Sequence, residues 1–256
     1  MNLDNARVWL TGASSGIGEA LIPALVGAGA RLAITARRAG RLDELAAAHA
    51  RAGRALLVLP ADVTDRAAMH ATVKAIEAAW GGVDLALLNA GAGKGVAIRD
   101  FSTEAFRFAM DVNFFGVLHG IEAVLPGMLA RRSGRIAGVA SLAGYRSGPG
   151  LAGYGTSKAA LIQALDSLRF GLAPHGIGIT VINPGFVRTP MTAPNRYWMP
   201  ALIDADTAAR IIVRGLRRDR QEIHFPIRLS WTLKVLRVLP FPVYERIMTT
   251  FVRRDV

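Results

Sequence analysis

Short apolar stretches rich in β-branched residues alternate with longer amphipathic stretches along most of the chain. This alternation predicts strand–helix–strand units, which form a parallel sheet covered by helices on both faces. The predicted strands are Arg7–Leu10, Arg31–Thr35, Ala55–Leu59, Val83–Leu88, Arg135–Ala140, Ile177–Ile182 and Ile223–Pro226. The predicted helices are Gly16–Val26, Arg38–Ala50, Asp65–Trp80, Thr103–Arg131 and Tyr154–Ala173. The sequence therefore predicts an α/β fold with a doubly wound parallel sheet.

The length of 256 residues fits one α/β domain, and neither a linker nor an internal repeat divides the chain. We predict a catalytic domain over residues 1–226, followed by an amphipathic C-terminal extension over residues 227–256. A hydrophobic content of 52% with 20% charged residues excludes a disordered chain, collagen and a coiled coil. The absence of cysteine excludes disulfides, thiolate metal sites and thiol nucleophiles, and no metal site is predicted.

No segment has the pattern of a signal peptide or a membrane span. Met1–Arg7 carries Asp4 and no apolar run, and the charge-free stretch Phe170–Val187 is interrupted by glycines and prolines. We therefore expect a cytoplasmic protein, with contact between residues 227–256 and a membrane surface as an open alternative.

A glycine-rich turn follows the first predicted strand and leads into a helix. Its sequence over residues 11–18 is TGASSGIG. Glycines permit a tight turn and a close approach of backbone amides to a pyrophosphate, to which the helix N-terminus adds partial positive charge. The predicted cofactor contacts in this turn are Gly12, Ser14, Ser15, Gly16, Ile17 and Gly18.

The end of the second strand favours NADP over NAD. An NAD-binding chain usually has an acidic residue here to accept from the ribose 2′-hydroxyl, but this chain has Ala36 followed by Arg37 and Arg38. A guanidinium pairs bidentately with a 2′-phosphate, and Arg37 is the better candidate. The alternative is a solvated helix start in an arginine-rich chain.

Two further strand ends carry candidate cofactor contacts. Asp62 and Val63 follow the third strand, and Asn89, Ala90 and Gly91 follow the fourth. Ligands of open α/β sheets bind at the carboxyl ends of strands. Asp62 is a candidate acceptor for an adenine amino group, or alternatively a helix cap.

Tyr154 and Lys158 stand four residues apart on a predicted helix and therefore share one face. A nearby ammonium lowers the pKa of a phenol from about 10 toward neutrality, which suits a general acid or base for a carbonyl or an alcohol. Ser141, at the end of the fifth strand, is a candidate hydrogen-bond partner for the substrate oxygen. Asn113 lies inside a long apolar helix and needs a partner for its amide.

In their order along the chain, these motifs resemble the short-chain dehydrogenase/reductase family over roughly residues 6–225. The matching motifs are TGASSGIG, Asp62-Val63, Asn89-Ala90-Gly91, Asn113, Ser141, Tyr154-Gly155-Thr156-Ser157-Lys158, Pro184-Gly185 and Thr189. The resemblance implies a Rossmann-type sheet of about seven strands and hydride transfer between a nicotinamide and a carbonyl or alcohol.

The resemblance also implies roles for individual residues. Tyr154 is the general acid/base, Lys158 lowers its pKa and holds the nicotinamide ribose, Ser141 orients the substrate oxygen, and Asn113 positions a water leading to Lys158. The residues implied to line the nicotinamide are Pro184, Gly185, Val187 and Thr189. The family often pairs helices such as 103–131 and 154–173 across a dimer interface, so a homodimer or homotetramer is expected. Leu88 departs from the family pattern, as does the chain's C-terminus.

The segment Phe186–Pro200 follows the nicotinamide residues and carries Met191, Tyr197, Trp198 and Met199. Its apolar content indicates a lipophilic substrate, or alternatively a lid packed on its own core. Lys94 borders the expected pocket, either to meet an anionic group or simply as a solvated lysine.

The C-terminal extension combines apolar bulk with basic residues. Residues 207–256 hold 11 basic and 4 acidic residues, so they supply +7 of the chain's net charge of +12. This composition fits a helix in an anionic membrane interface, and equally a segment docked on the pocket, on another subunit or on the body. No nucleic-acid recognition motif accompanies the charge, so no nucleic-acid partner is predicted.

The sequence therefore predicts an NADP(H)-dependent oxidoreductase that acts on a lipophilic carbonyl or secondary alcohol. The alternative is a cofactor-binding sensor or scaffold without turnover.

Overall fold

The structure, a computed structural model, describes residues 1–50, 55–93, 101–146, 148, 150–195 and 198–252. The strands are β1 Arg7–Thr11, β2 Arg31–Thr35, β3 Leu57–Val58, β4 Leu85–Leu88, β5 Gly134–Val139, β6 Ile177–Pro184, β7 Val187–Arg188, β8 Ile203–Asp204 and β9 Glu222–Phe225. The helices are α1 Gly16–Gly27, α2 Ala39–Ala50, α3 Arg66–Trp80, α4 Thr103–Met110, α5 Gly116–Arg131, α6 Ala152–Leu172, α7 Ala205–Arg217, α8 Ile227–Arg237 and α9 Phe241–Val252.

Seven parallel strands form one sheet in the order β3-β2-β1-β4-β5-β6-β9, and β7 pairs with β8 in a separate short ladder. The chain moves outward from β1 in one direction, then returns and continues from β4 in the other. The order therefore reverses between β1 and β4, where the carboxyl ends of the two strands leave a crevice. The predicted doubly wound sheet of about seven strands is confirmed.

The sheet is buried on both faces because successive strand residues point to opposite sides. On one side Val8 and Leu10 pack with α1, α2 and α7, whereas on the other Trp9 packs with α3, α5 and α6. The indole nitrogen of Trp9 donates a hydrogen bond to Thr35 Oγ1 at 2.9 Å, so its one polar atom is satisfied inside the core.

Two predicted elements differ from the structure. The third strand, predicted over Ala55–Leu59, pairs with β2 only at Leu57 and Val58, because it lies at the sheet edge and is only partly buried. The single helix predicted over Thr103–Arg131 is interrupted by one turn of π-helix, Asp111–Phe115. A helix not predicted from the sequence, α7, covers the sheet beside α1.

By length and composition, the stretch Thr103–Arg131 is apolar enough to cross a membrane, and 44% of its most apolar window is buried in the fold. The C-terminal extension forms two consecutive helices, α8 and α9, joined by a short turn and together called the hairpin here, and α8 contacts β9. The boundary at residue 226 stays a prediction.

Candidate active site

A cavity of about 340 Å³ opens at the reversal point of the sheet. Every predicted site residue except Asn113 lines it: Gly12, Ser14, Ser15, Gly16, Ile17, Gly18, Arg37, Arg38, Asp62, Val63, Asn89, Ala90, Gly91, Ser141, Tyr154, Lys158, Pro184, Gly185, Val187 and Thr189. The strand ends, the glycine turn and the first turns of α6 are thus brought to one place. Their individual roles stay predictions.

The glycine turn has the shape that a pyrophosphate requires. Gly12 and Gly16 have φ angles of +68° and +59°, which side-chain-bearing residues rarely adopt. A β-carbon at Gly18 would lie 2.1 Å from the carbonyl oxygen of Gly12, so only glycine fits there. Ser15, the N-cap of α1, makes no side-chain capping bond, which leaves the first amides of the helix available to an anion. The turn therefore fits a dinucleotide.

Asn89 holds the glycine turn against β4. Its side-chain amide donates to the carbonyl oxygens of Thr11 at 3.1 Å and Gly12 at 3.3 Å. The Thr11 hydroxyl in turn accepts from the backbone amides of Asn89 and Ala90. Thr11 was not singled out from the sequence for this task, although it is the first residue of the TGASSGIG motif.

Two arginines frame the far end of the cavity, beyond the buried Ala36. Arg38 donates to the Ser14 carbonyl oxygen at 2.9 Å and to the Ser14 hydroxyl at 3.0 Å, which fixes its guanidinium beside the glycine turn. Arg37 is 69% exposed and lies 3.7 Å from a carboxylate oxygen of Asp62. The pair is loose, so the Arg37 guanidinium can reach an additional anion.

Asp62 does not cap α3. Its Oδ1 accepts from the amide and the hydroxyl of Thr64 at 3.0 Å and 2.9 Å. The capping residue is Asp65, which accepts from the Ala68 amide at 2.9 Å. Asp62 therefore closes a local turn at the cavity wall and keeps Oδ2 toward Arg37.

Lys158 lies one helical turn after Tyr154 on α6, and its ammonium is buried. Its Nζ donates to the Val139 carbonyl oxygen at 2.7 Å and lies 5.8 Å from the centre of the Tyr154 ring. Burial lowers the pKa of Lys158 to about 7, because desolvation disfavours the charged ammonium. A developing negative charge nearby would restore the charged form.

Ser141 begins the loop that connects β5 to α6. Its hydroxyl oxygen accepts from the Ala143 amide at 3.1 Å and lies 3.4 Å from the Pro184 carbonyl oxygen, a weak donor contact. One lone pair of the Ser141 hydroxyl is therefore free, and its proton can turn from the long contact with Pro184 to another acceptor in the cavity.

Asn113 lies in the π-helical turn and is fully buried behind the cavity wall. Its amide accepts from the Ala92 amide at 2.8 Å, and donates to the Ala92 carbonyl at 2.8 Å and to Ser157 Oγ at 2.9 Å. A β-carbon on Gly91 would lie 3.2 Å from Asn113 Oδ1 and 3.4 Å from Lys158 Nζ. Glycine at 91 thus keeps clear the space between these two polar groups.

Residues that follow β6 complete the wall on the opposite side. Thr192, not singled out from the sequence, donates to the Val187 carbonyl at 2.7 Å and accepts from the Thr189 amide at 3.1 Å, which fixes the turn bearing Thr189. Met191 lines the cavity, and Trp198 is exposed. The predicted contributions of Tyr197 and Lys94 fall outside the described residues.

The comparisons with known proteins agree with this geometry. The sequence profile described as short chain dehydrogenase matches residues 6–200. The chain belongs to the short-chain dehydrogenase/reductase family. An uncharacterized oxidoreductase of Myxococcus xanthus (strain DK1622) is 36% identical to this short-chain dehydrogenase/reductase. The match covers 92% of this chain and 93% of the relative.

Solved structures share the fold. A short-chain dehydrogenase/reductase from Burkholderia phymatum in complex with NAD is similar with a TM-score of 0.84 and 24% identity, covering 91% of this chain and 93% of that one. An alcohol dehydrogenase from Thermococcus sibiricus, complexed with 5-hydroxy-NADP, has a TM-score of 0.78 and 25% identity, covering 86% and 95%. This short-chain dehydrogenase/reductase is thus an NAD(P)-dependent oxidoreductase with a small-molecule substrate.

Proposed function

We propose that this short-chain dehydrogenase/reductase uses NADP(H) to interconvert a lipophilic carbonyl compound and its secondary alcohol, with Tyr154 as the general acid/base. The observation that carries the proposal is that Tyr154, Lys158 and Ser141 line the same cavity as the glycine turn. A nicotinamide bound there would supply the hydride chemistry. The protein must then provide the proton, its stabilisation and the orientation of the substrate.

In the reductive direction, the carbonyl oxygen gains a proton as its carbon gains a hydride. The Tyr154 hydroxyl gives up that proton, and the resulting phenolate is stabilised by the neighbouring Lys158 ammonium. Ser141 has hydrogen-bonding capacity left over to orient the substrate oxygen. The oxidative direction reverses these transfers. Asn113 is a positioning residue. Its hydrogen bonds to Ala92 and Ser157 fix the part of the cavity wall that carries Tyr154 and Lys158.

NADP preference is proposed from the charges at the adenosine end. The residue that follows β2 is Ala36, where NAD-binding chains usually have a carboxylate that accepts from the ribose 2′-hydroxyl. Two cations, Arg37 and Arg38, follow it. Arg38 is held against Ser14, and Arg37 is loosely paired, so both can face a 2′-phosphate. The Thermococcus relative is described as complexed with an NADP derivative.

A lipophilic substrate is proposed because Met191 borders the cavity and Trp198 is exposed in the same segment. We also propose a cytoplasmic homodimer or homotetramer. Phe108 on α4 and Phe115 in the following π-helical turn are exposed seven residues apart and support the assembly, since exposed apolar surface of this kind often marks a protein interface.

The decisive experiment measures NADPH oxidation over carbonyl compounds graded by apolar chain length. We expect kcat/KM to rise with apolar length, and Tyr154→Phe to lower kcat by roughly 10²–10⁴-fold while NADPH binding is retained. Tyr145→Phe is the matched control, because the Tyr145 hydroxyl is already bonded to Glu222 and should contribute little to turnover.

The cofactor arm of the same experiment compares NADPH with NADH. Arg37→Ala should lower the preference for NADPH by roughly tenfold or more, the effect expected for a lost charge-assisted contact. Arg41→Ala is the control, since Arg41 bonds Glu44 and Glu19 instead.

Full turnover in Tyr154→Phe would refute the mechanism. Tight NADPH binding without turnover on any carbonyl would favour a sensor, and an unchanged cofactor preference would remove Arg37 from the site.

A further inference from the structure

A row of apolar residues runs along the exposed side of α8. Ile227, Trp231, Val235 and Val238 follow one another at spacings of four, four and three residues, which places them on a single helix face. All four are between 53% and 79% exposed. We call these four residues the apolar stripe.

The apolar stripe continues into the turn and the start of α9. Phe241 and Val243 are exposed as well, so six of the twelve large apolar residues that are exposed in the described part of the chain lie between positions 227 and 243. Soluble monomers rarely concentrate exposed apolar surface in this way, and such surfaces usually meet another phase or molecule.

The side of α8 that adjoins the stripe is anchored to the body, so the stripe is not the result of a loosely attached helix. Ser230 is fully buried and bonds His224 at 2.6 Å, and Lys234 pairs with Glu222 at 2.7 Å. A β-carbon on Gly185 would lie 3.2 Å from Leu229 Cδ2, so this inner face packs directly behind the cavity wall.

Arg146 fixes the end of α8 and the start of α9 together. Its Nη1 donates to the carbonyl oxygens of Leu236, Arg237 and Leu239 at 3.0, 3.2 and 2.8 Å. The guanidinium also lies 3.9 Å from the centre of the Tyr244 ring. These contacts attach both helices to the loop that bears Arg146, while the apolar stripe stays exposed.

The charged residues of α8 and of the turn that follows it are all basic. Residues 227–240 contain Arg228, Lys234 and Arg237 and no acidic residue. Arg228 and Arg237 are exposed, and neither forms a salt bridge with a carboxylate in the described part of the chain. Apolar residues with a tryptophan and a basic margin are the features of helices that lie in the plane of an anionic bilayer surface.

We propose that the α8–α9 hairpin binds an anionic lipid surface, with the apolar stripe inserted among the acyl chains and Arg228 and Arg237 on the headgroups. A second copy of this chain fits less well, because a two-fold interface on this face would bring the same cations together. The binding does not depend on the proposed reaction, since a vesicle needs no turnover to be bound.

The position of the hairpin gives the binding a consequence for the active site. A β-carbon on Gly148, in the loop between Ser141 and Tyr154, would lie 3.2 Å from Met248 Cε of α9. The hairpin thus touches the loop that joins the two predicted catalytic positions. A lipid surface bound to the hairpin would lie beside the substrate side of the cavity. An apolar substrate dissolved in that lipid would therefore be concentrated near the cavity.

The test is co-sedimentation of the full chain with phosphatidylcholine vesicles, with and without phosphatidylglycerol. We expect binding to the anionic vesicles and much weaker binding to the neutral ones. Arg228→Gln with Arg237→Gln should weaken binding by about fivefold for each cation removed. Trp231→Ser with Val235→Ser should weaken it by roughly tenfold or more. Tryptophan emission should shift to the blue with anionic vesicles in wild type, and less in the second variant.

Matched controls separate this surface from general charge and general apolarity. Arg217→Gln with Arg218→Gln removes the same charge at the end of α7, and Phe170→Ser removes an aromatic ring that is 81% exposed on α6. Both should bind vesicles nearly as wild type does. Circular dichroism melting checks that each variant is folded.

Three outcomes would overturn the proposal. One is equal binding by wild type and the stripe variant. The second is equal loss in the hairpin and control charge variants, which would mean unspecific attraction. The third is a stripe variant that lowers the solution mass of the protein and leaves vesicle binding unchanged, which would assign the face to a second copy.

Discussion

Lys158 is a buried amine whose proposed role in the reaction comes at a cost in stability. The side chain is 2% exposed, and its Nζ donates to the Val139 carbonyl oxygen. Burial lowers the pKa of Lys158 to about 7, so folding disfavours the ammonium form. The same amine favours a nearby phenolate, and activity and stability therefore make opposite demands on it.

The pH dependence of stability should report this burial. Between about pH 7 and pH 10 the unfolded chain binds a proton at Lys158 that the folded protein lacks, so stability rises with pH in that window. We expect wild type to gain up to about 1.4 kcal/mol per pH unit relative to Lys158→Met. Urea unfolding of the cofactor-free proteins at several pH values measures the difference.

Lys74 provides the control for that comparison. It is exposed on α3, so Lys74→Met leaves no buried site behind and should differ from wild type by the same small amount at every pH. A wild-type-minus-Lys158→Met difference that is flat between pH 7 and pH 10 would contradict the expectation.

At this scale the sequence predicts motif residues well and their partners poorly. Asn113 evidently needs a partner, yet its partners Ala92 and Ser157 lie 21 and 44 residues away. The tie between Arg38 and Ser14 likewise spans 24 residues. A motif predicts which residue types take part in the chemistry. These contacts form only when the sheet brings distant loops together, so the motif does not predict them.

Among the elements, the Arg146 contacts join the C-terminal hairpin to the loop that precedes α6. Nη1 of one guanidinium serves three carbonyl oxygens while the guanidinium lies on an aromatic ring, and the smaller ammonium of a lysine lacks the planar surface for that stacking. The nearby pair of Glu222 and Lys234 adds a second attachment. Burial alone would raise the pKa of Glu222, but hydrogen bonds from Lys234 and Tyr145 outweigh it and lower the pKa.

Arg146→Ala should therefore loosen the hairpin. We expect faster hydrogen exchange in α8 and α9, by roughly tenfold or more, because charge-assisted bonds to helix-end carbonyls are lost. The KM for the carbonyl substrate should rise more than kcat falls, since the hairpin borders the substrate side. Arg146→Lys should restore little of the slow exchange. Arg228→Lys changes an arginine of α8 that makes no such contacts to carbonyl oxygens in the described part of the chain, and it should exchange as wild type does. Unchanged exchange in Arg146→Ala would show that the hairpin is held by other contacts.

Element boundaries show where sequence patterns reach their limit. The central strands β1, β2 and β4–β6 were predictable because burial on both faces requires continuous apolar runs. The edge strand β3 is short because only one neighbour pairs with it. The π-helical turn at 111–115 has no compositional signal. Helix α7, by contrast, has such a signal, since Ala208, Ala209, Ile212, Val213 and Leu216 recur with helical spacing.

For the whole molecule, a second exposed apolar feature lies away from the hairpin. Phe108 on α4 and Phe115 in the π-helical turn are both exposed and stand seven residues apart on consecutive helical turns. Members of this family often pair the corresponding helices across a dimer interface. This face differs from the hairpin because the exposed charges beside it, Glu104, Arg107 and Asp111, are of both signs, which suits a protein partner.

We expect a homodimer or homotetramer in solution, and Phe108→Asp with Phe115→Asp should shift it toward the monomer. Carboxylates placed opposite one another across a two-fold interface would repel and lose their hydration, which costs several kcal/mol. Sedimentation velocity over a concentration series measures the shift, and circular dichroism checks the fold. Val235→Ser, which changes only the hairpin, is the control and should keep the wild-type mass. If Val235→Ser dissociates the assembly while the aspartate variant does not, the two faces have been assigned the wrong way round.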